Sequence, residues 1–232
     1  LGDQPVVSIS ATDAAAVEGT TNNTIVFTVS QTNLSTVDTT VLVKGTLGAI
    51  SAADLTSISY TNAAGTVVTL STPSDIASFF STGVTVKIPA GSTSAPVITF
   101  TAANDAIFEQ AESFSVAISA PVNATIDVAS AGATIFDESA SNPIVNVDAP
   151  TSTNPTDKLG DQPVVSITAT DAVAVEGTTN NTLVFTVAQS NPSTQATDIV
   201  VTLNLGTVEA ADITSITYVD ATGATVTRSE EH

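Results

Sequence analysis

Acidic side chains gather where short connections separate apolar stretches: Glu18, Asp54, the trio Asp105, Glu109 and Glu112, and Asp137 followed by Glu138. Carboxylates in such places support two kinds of chemistry. They can move protons when their neighbours hold their pKa values apart, or they can ligate a hard divalent cation such as calcium, which takes about six to eight oxygen ligands. The rest of the chain argues against catalysis. It has no Cys, and its one His is the terminal His232, so a nucleophile cannot readily be paired with a histidine base. There is no glycine-rich phosphate loop. With no Trp and two Tyr, the chain also lacks an aromatic platform for sugars. Tyr60 and Tyr218 read instead as strand residues packing at a sheet edge. The expectation is a protein that is not an enzyme.

Overall charge points the same way. Four basic residues (Lys44, Lys87, Lys158, Arg228) face 23 acidic ones, for a formal net charge of -19 and a pI near 4.1. That field repels a phosphate backbone and an anionic membrane surface and attracts divalent cations. No apolar run is long enough to span a membrane as a helix, so membrane insertion is not expected. The Thr- and Ser-rich, Lys-poor composition suits an extracellular or cell-surface location, with any export signal outside this stretch. Sequons at Asn22, Asn33, Asn123 and Asn180 are what frequent Asn and Thr produce by chance.

Loops can bring distant carboxylates together only if the strands between them are held in register. The hydrophobic pattern has period two almost throughout, as in Ile25, Phe27 and Val29 or Phe114, Val116 and Ile118, which places one face on a core and one in water. Further strands are expected at Val6–Ala11, Thr39–Lys44, Leu55–Thr61, Thr66–Leu70, Val84–Ile88, Pro96–Thr101 and Ala124–Phe136. Ala63-Ala64-Gly65 and Pro89-Ala90-Gly91 supply turns. Asp75–Ser81 is the one helical stretch, with Ser74 or Asp75 as N-cap. So many short strands imply an antiparallel β-sandwich, in which loops from alternate strands meet at one end.

The chain also repeats itself. Leu1–Ser10 returns as Leu159–Thr168, and the correspondence continues without a gap to the end, with 46 of 74 positions identical. A period this long marks a tandem array of large modules. The expected organisation is a complete sandwich over 1–138, a Pro-, Ser-, Thr- and Asn-rich linker over 139–160, and an incomplete second copy over 161–232. Ile144, Val145 and Val147 in the linker could form an edge strand. The second copy keeps Glu176 and Asp212 but has no counterparts of Asp105, Glu109, Glu112 or Asp137, so it should not build the same cluster alone.

Val17-Glu18-Gly19, then Asp54, then Asn104-Asp105-Ala106-Ile107-Phe108-Glu109-Gln110-Ala111-Glu112-Ser113-Phe114, then Ile135-Phe136-Asp137-Glu138 together resemble the Calx-beta domain family. The resemblance covers roughly residues 5–138. It implies an immunoglobulin-like sandwich that binds calcium weakly at one end, with Glu18, Asp54, Asp105, Glu109, Glu112 and Asp137 as the metal ligands. Two departures, Asn104-Asp105-Ala106 and Asp137-Glu138-Ser139, replace longer acidic runs and imply fewer ions or weaker binding. An insertion between Asp54 and Val84 is not explained by the family.

The function expected from these readings is a calcium-stiffened structural repeat of a large extracellular bacterial protein, such as an adhesin, surface layer or matrix fibre. Its partners would be neighbouring repeats or identical chains, and not nucleic acid. An alternative is a module that recognises glycans or surface receptors through its loops or the inserted region. An alternative assembly is a filament in which strands of a neighbouring chain complete the half module.

Overall fold

Alternation of apolar residues becomes two facing sheets because each strand then presents one continuous apolar side. The computed structural model describes residues 4–93, 96–137 and 163–229. In the first copy the elements are β1 (Val6–Asp13), β2 (Ala15–Val17), β3 (Thr24–Gln31), β4 (Thr39–Thr46), β5 (Leu55–Thr61), β6 (Val67–Leu70), α1 (Pro73–Ser81), β7 (Val84–Ile88), β8 (Val97–Ala102), β9 (Glu112–Val122), β10 (Thr125–Ile126) and β11 (Ser130–Phe136). One sheet has the order β10-β1-β3-β8-β5-β6 and the other β2-β11-β9-β4-β7. Its Greek-key connectivity, with the first strand split between the two sheets, is that of an immunoglobulin-like sandwich. All pairings in it are antiparallel except β1 with β10 and β2 with β11.

The core lies between the sheets. Phe27 of β3, Phe100 of β8 and Phe114 of β9 pack ring to ring, with centroids 5.1 to 5.9 Å apart. The inserted helix α1 adds to this core: Ile76, Phe79 and Phe80 are buried, and Phe79 sits 5.4 Å from Phe100 in an edge-on contact. Gly45 of β4 makes room for the helix, because a Cβ there would collide with Phe80. The insertion is therefore part of the packing. Its N-cap is Thr72, whose Oγ1 accepts the Asp75 N–H at 3.2 Å, and Pro73 occupies the first turn. This corrects the expected cap at Ser74 or Asp75: Thr72 still has extended backbone, and proline suits the position that needs no N–H partner.

Two strand expectations also change. Ala124–Phe136 is two strands, because Thr125–Ile126 pairs with β1 in one sheet and Ser130–Phe136 pairs with β9 in the other. Ala15–Val17 forms a three-residue strand, too short for alternation to reveal, that docks on β11.

The second copy contributes β12 (Val165–Asp171) paired with β13 (Val184–Gln189), and β14 (Ser215–Val219) paired with β15 (Thr225–Ser229). The chain divides into two compact units, Leu1–Gln195 and Ala196–His232. Residues 138–162, which hold the expected linker and its Ile144–Val147 stretch, lie outside the described residues.

Candidate metal centre

Of the six acids expected from the sequence, Glu18, Asp54, Asp137 and Glu112 lie at strand ends and Asp105 and Glu109 in a loop. Glu18 follows β2 and donates its N–H to the Phe136 carbonyl at 2.9 Å, which fixes it beside the end of β11. The turn behind it closes through Val17 N–H to Asn22 O at 2.7 Å and Thr20 Oγ1 to Val17 O at 3.0 Å. Asp137 follows β11, and its Oδ2 accepts the Glu109 N–H at 2.9 Å. Asp54 precedes β5 and is tied to the end of β8 by Ala103 N–H to its carbonyl at 2.8 Å. Asp105 and Glu109 lie in the β8–β9 loop, where Asp105 Oδ1 accepts the Ile107 N–H at 2.7 Å. Glu112 opens β9 and pairs with Ile135 of β11.

Asp54, Glu109 and Glu112, all half-buried, each offer a carboxylate oxygen within 4.8 Å of the others, so this trio can hold a metal ion. Glu18 and Asp137 lie deeper, at 8% and 6% exposure. Their electrostatics join them to the trio. Burial, then the charges of Asp137, Glu109, Asp105 and Asp54, push the Glu18 carboxyl up to about 9. Glu112 is raised to about 7, by burial first and then by Asp54 and Glu109. Glu109 is raised by burial and by Asp54, Asp105 and Asp137. No basic side chain contributes to any of these shifts. Among the described residues the ion pair is elsewhere, Lys87 Nζ to Asp38 Oδ2 at 3.0 Å.

The donor set suits a hard cation: every charged group is a carboxylate, and a divalent ion would offset both the burial and the neighbouring charges that raise the Glu18 carboxyl. Sequence reasoning placed the six residues at one end of the sandwich but missed Ser51. Its backbone N–H and its Oγ both donate to the Asp54 carboxylate, orienting it toward the glutamates' loop. The signal was there, in an acid three residues after a small polar residue, a pattern of local side-chain capping. In the second copy the same turn survives as Glu209 N–H to Asp212 Oδ2 at 2.9 Å, at an exposed site.

No family model and no curated protein sequence matches the chain. Among solved structures it is similar to the calcium binding domain CBD12 of CALX1.1, at 14% identity over 56% of this chain and 45% of that one, with a TM-score of 0.38. The apo-form Calx CBD1 domain gives 15% identity over 57% and 97%, with a TM-score of 0.36. The CsuC-CsuE chaperone-tip adhesion subunit complex from the Csu pili of Acinetobacter baumannii gives 9% over 92% and 94%, at 0.27. The chain thus spans less than half of the CBD12 structure. The immunoglobulin-like fold is carried by the strand order of the two sheets.

Proposed function

We propose that this chain is a non-catalytic structural repeat of a large extracellular protein, of the adhesin, surface-layer or matrix-fibre kind, and that calcium at the acidic end stiffens each complete module. The observation that supports it is the convergence of Asp54, Glu109 and Glu112 within 4.8 Å, backed by buried Glu18 with its carboxyl raised to about 9. With this end empty of cations, burial and the neighbouring acids hold the Glu18 and Glu112 carboxyls toward their protonated forms beside Asp54 and Glu109. An ion bridging them ties β2, β5, β8, β9 and β11 together at one end. Glu112, Glu109 and Asp54 would be the first ligands, Ser51 holds Asp54 in place, and Asp137 anchors the Glu109 backbone.

Thermal unfolding of the full chain with calcium and with chelator tests this. Calcium at 100 times its dissociation constant should stabilise the first copy by about 2.7 kcal/mol, and an unchanged midpoint would sink the proposal. Asp54→Asn should remove most of that gain, while Asp212→Asn in the second copy should leave it intact.

A further inference from the structure

Phe108, in the acidic β8–β9 loop of the first copy, forms a parallel β-bridge with Ser193 in the loop after β13 of the second copy. Both of its backbone groups are used. Its N–H donates to Pro192 O at 3.0 Å, its carbonyl accepts the Thr194 N–H at 3.0 Å, and Thr194 Oγ1 donates to the same carbonyl at 3.4 Å. The contact rests mainly on main-chain groups, with one hydroxyl added, and main-chain pairing tolerates sequence drift in either loop.

The receiving loop is already shaped before it is used. Ser193 Oγ accepts the Gln195 N–H at 3.0 Å, and its counterpart Ser35 Oγ accepts the Val37 N–H at 3.1 Å in the first copy, where no such bridge forms. The groups equivalent to Pro192 O and Thr194 N–H are Leu34 O and Thr36 N–H. Among the described residues neither has a hydrogen-bond partner. Leu34 is 65% exposed and Val37 51% exposed beside them.

We infer that residues 34–36 are a docking face for the loop equivalent to Asp105–Glu109 in a preceding copy of the module, so that modules join head to tail by one repeated backbone bridge. This rests on the reading of the chain as one stretch of an array. The contact is heterologous, since the donor loop and the receiving loop are different surfaces, and it propagates along a line instead of closing. Each module then contacts its immediate neighbours only. A two-bond bridge gains further when a tether holds the loops at high local concentration, and without one it still orients the two loops enough to speed crosslinking between them.

The absence of cysteine makes crosslinking a clean readout. The probe is a synthetic peptide of residues 103–111 carrying Phe108→Cys, offered to the full chain carrying Ser35→Cys under mild oxidation with chelator present throughout. It should form the mixed disulfide about tenfold faster than with Ala64→Cys, an exposed position in the β5–β6 turn, through local concentration at the docked site. Methylating the peptide nitrogen at position 108 should bring the rate down to that control. Equal rates at the two cysteines, or indifference to methylation, overturn the inference. As a second measurement, Phe108→Cys with Ser193→Cys in one chain should close an intramolecular disulfide, and failure to do so removes the bridge on which the inference stands. Because chelator is present, a failed calcium experiment and a failed docking experiment remain separate results.

Discussion

The two copies in this chain share most of their residues and very little of their environment. Ile9, Phe27 and Val29 are at 1%, 0% and 0% exposure, while their counterparts Ile167, Phe185 and Val187 are at 56%, 57% and 39%. Yet the hairpins themselves are nearly superposable in their bonding. Both β1–β3 and β12–β13 pair residue for residue in the same register, with the same irregularity after Ala11 and after Ala169. What differs is the cover. In the first copy Phe27 meets Phe100 and Phe114 from strands β8 and β9, and no described strand plays that part beside β13. The region equivalent to β4 makes the same point, since Ile199–Leu203 forms no strand where β4 is paired on both sides by β7 and β9. A strand in the middle of a sheet exists through its neighbours, whereas a hairpin carries its own partner.

The comparison can be broken by matched substitutions read in chemical or thermal unfolding of the full chain. The largest contrast is expected at the aromatic pair. Phe27→Ala should cost about 3 to 5 kcal/mol by opening a cavity among the rings, and Phe185→Ala should stay within about 0.5 kcal/mol. Equal losses would mean that the second copy has a core of its own in solution. Gly48 and Gly206 come next. Both have positive φ, 60° and 62°, but a Cβ on Gly48 would run into the Ser113 carbonyl oxygen, while one on Gly206 meets nothing. Gly206→Ala should cost about 1 to 2 kcal/mol of backbone strain, and Gly48→Ala clearly more.

A third contrast is electrostatic. Glu18 has its carboxyl at about 9 in the folded, metal-free module against an ordinary 4.5, so the folded state holds the extra proton between those values. Its contribution is therefore complete below about pH 4.5 and is lost as pH rises toward 9, at a slope of at most about 1.4 kcal/mol per pH unit. In chelator, the first copy should melt lower at pH 8 than at pH 5. Glu18→Gln should flatten that slope, and Glu176→Gln should not change it. Calcium should reverse the trend by displacing protons, with its largest stabilisation at the higher pH.

Much of this was legible in residue order. Alternation marked most strands, Ala63-Ala64-Gly65 marked a turn that closes with Gly65 N–H to Asn62 O at 2.9 Å, and acids at loop positions marked the end where they meet. The sandwich itself followed from short strands and regular turns. Harder to see were features set by partners far along the chain. Ala15–Val17 becomes a strand because β11 lies beside it, and Ala124–Phe136 divides because its two halves serve different sheets. The helix was visible, but its role was not: three buried side chains make the insertion part of the core, and spacing alone could not tell a core helix from a displayed one.

The bonds within a single turn or hairpin are what sequence alone determined. Val17 N–H to Asn22 O and Val175 N–H to Asn180 O are both 2.7 Å, and the Thr12–Thr28 and Thr170–Thr186 hydroxyl contacts are both 3.1 Å. These form in either copy because their partners arrive with the same hairpin. Burial, and with it the chemistry of the acidic end, belongs to tertiary structure. Glu18 and Glu176 sit in the same Val-Glu-Gly turn, but Glu18 alone is enclosed and faced by Asp54, Asp105, Glu109 and Asp137. A carboxylate's pKa depends on the water it loses and the charges brought near it, and only a closed second sheet supplies both.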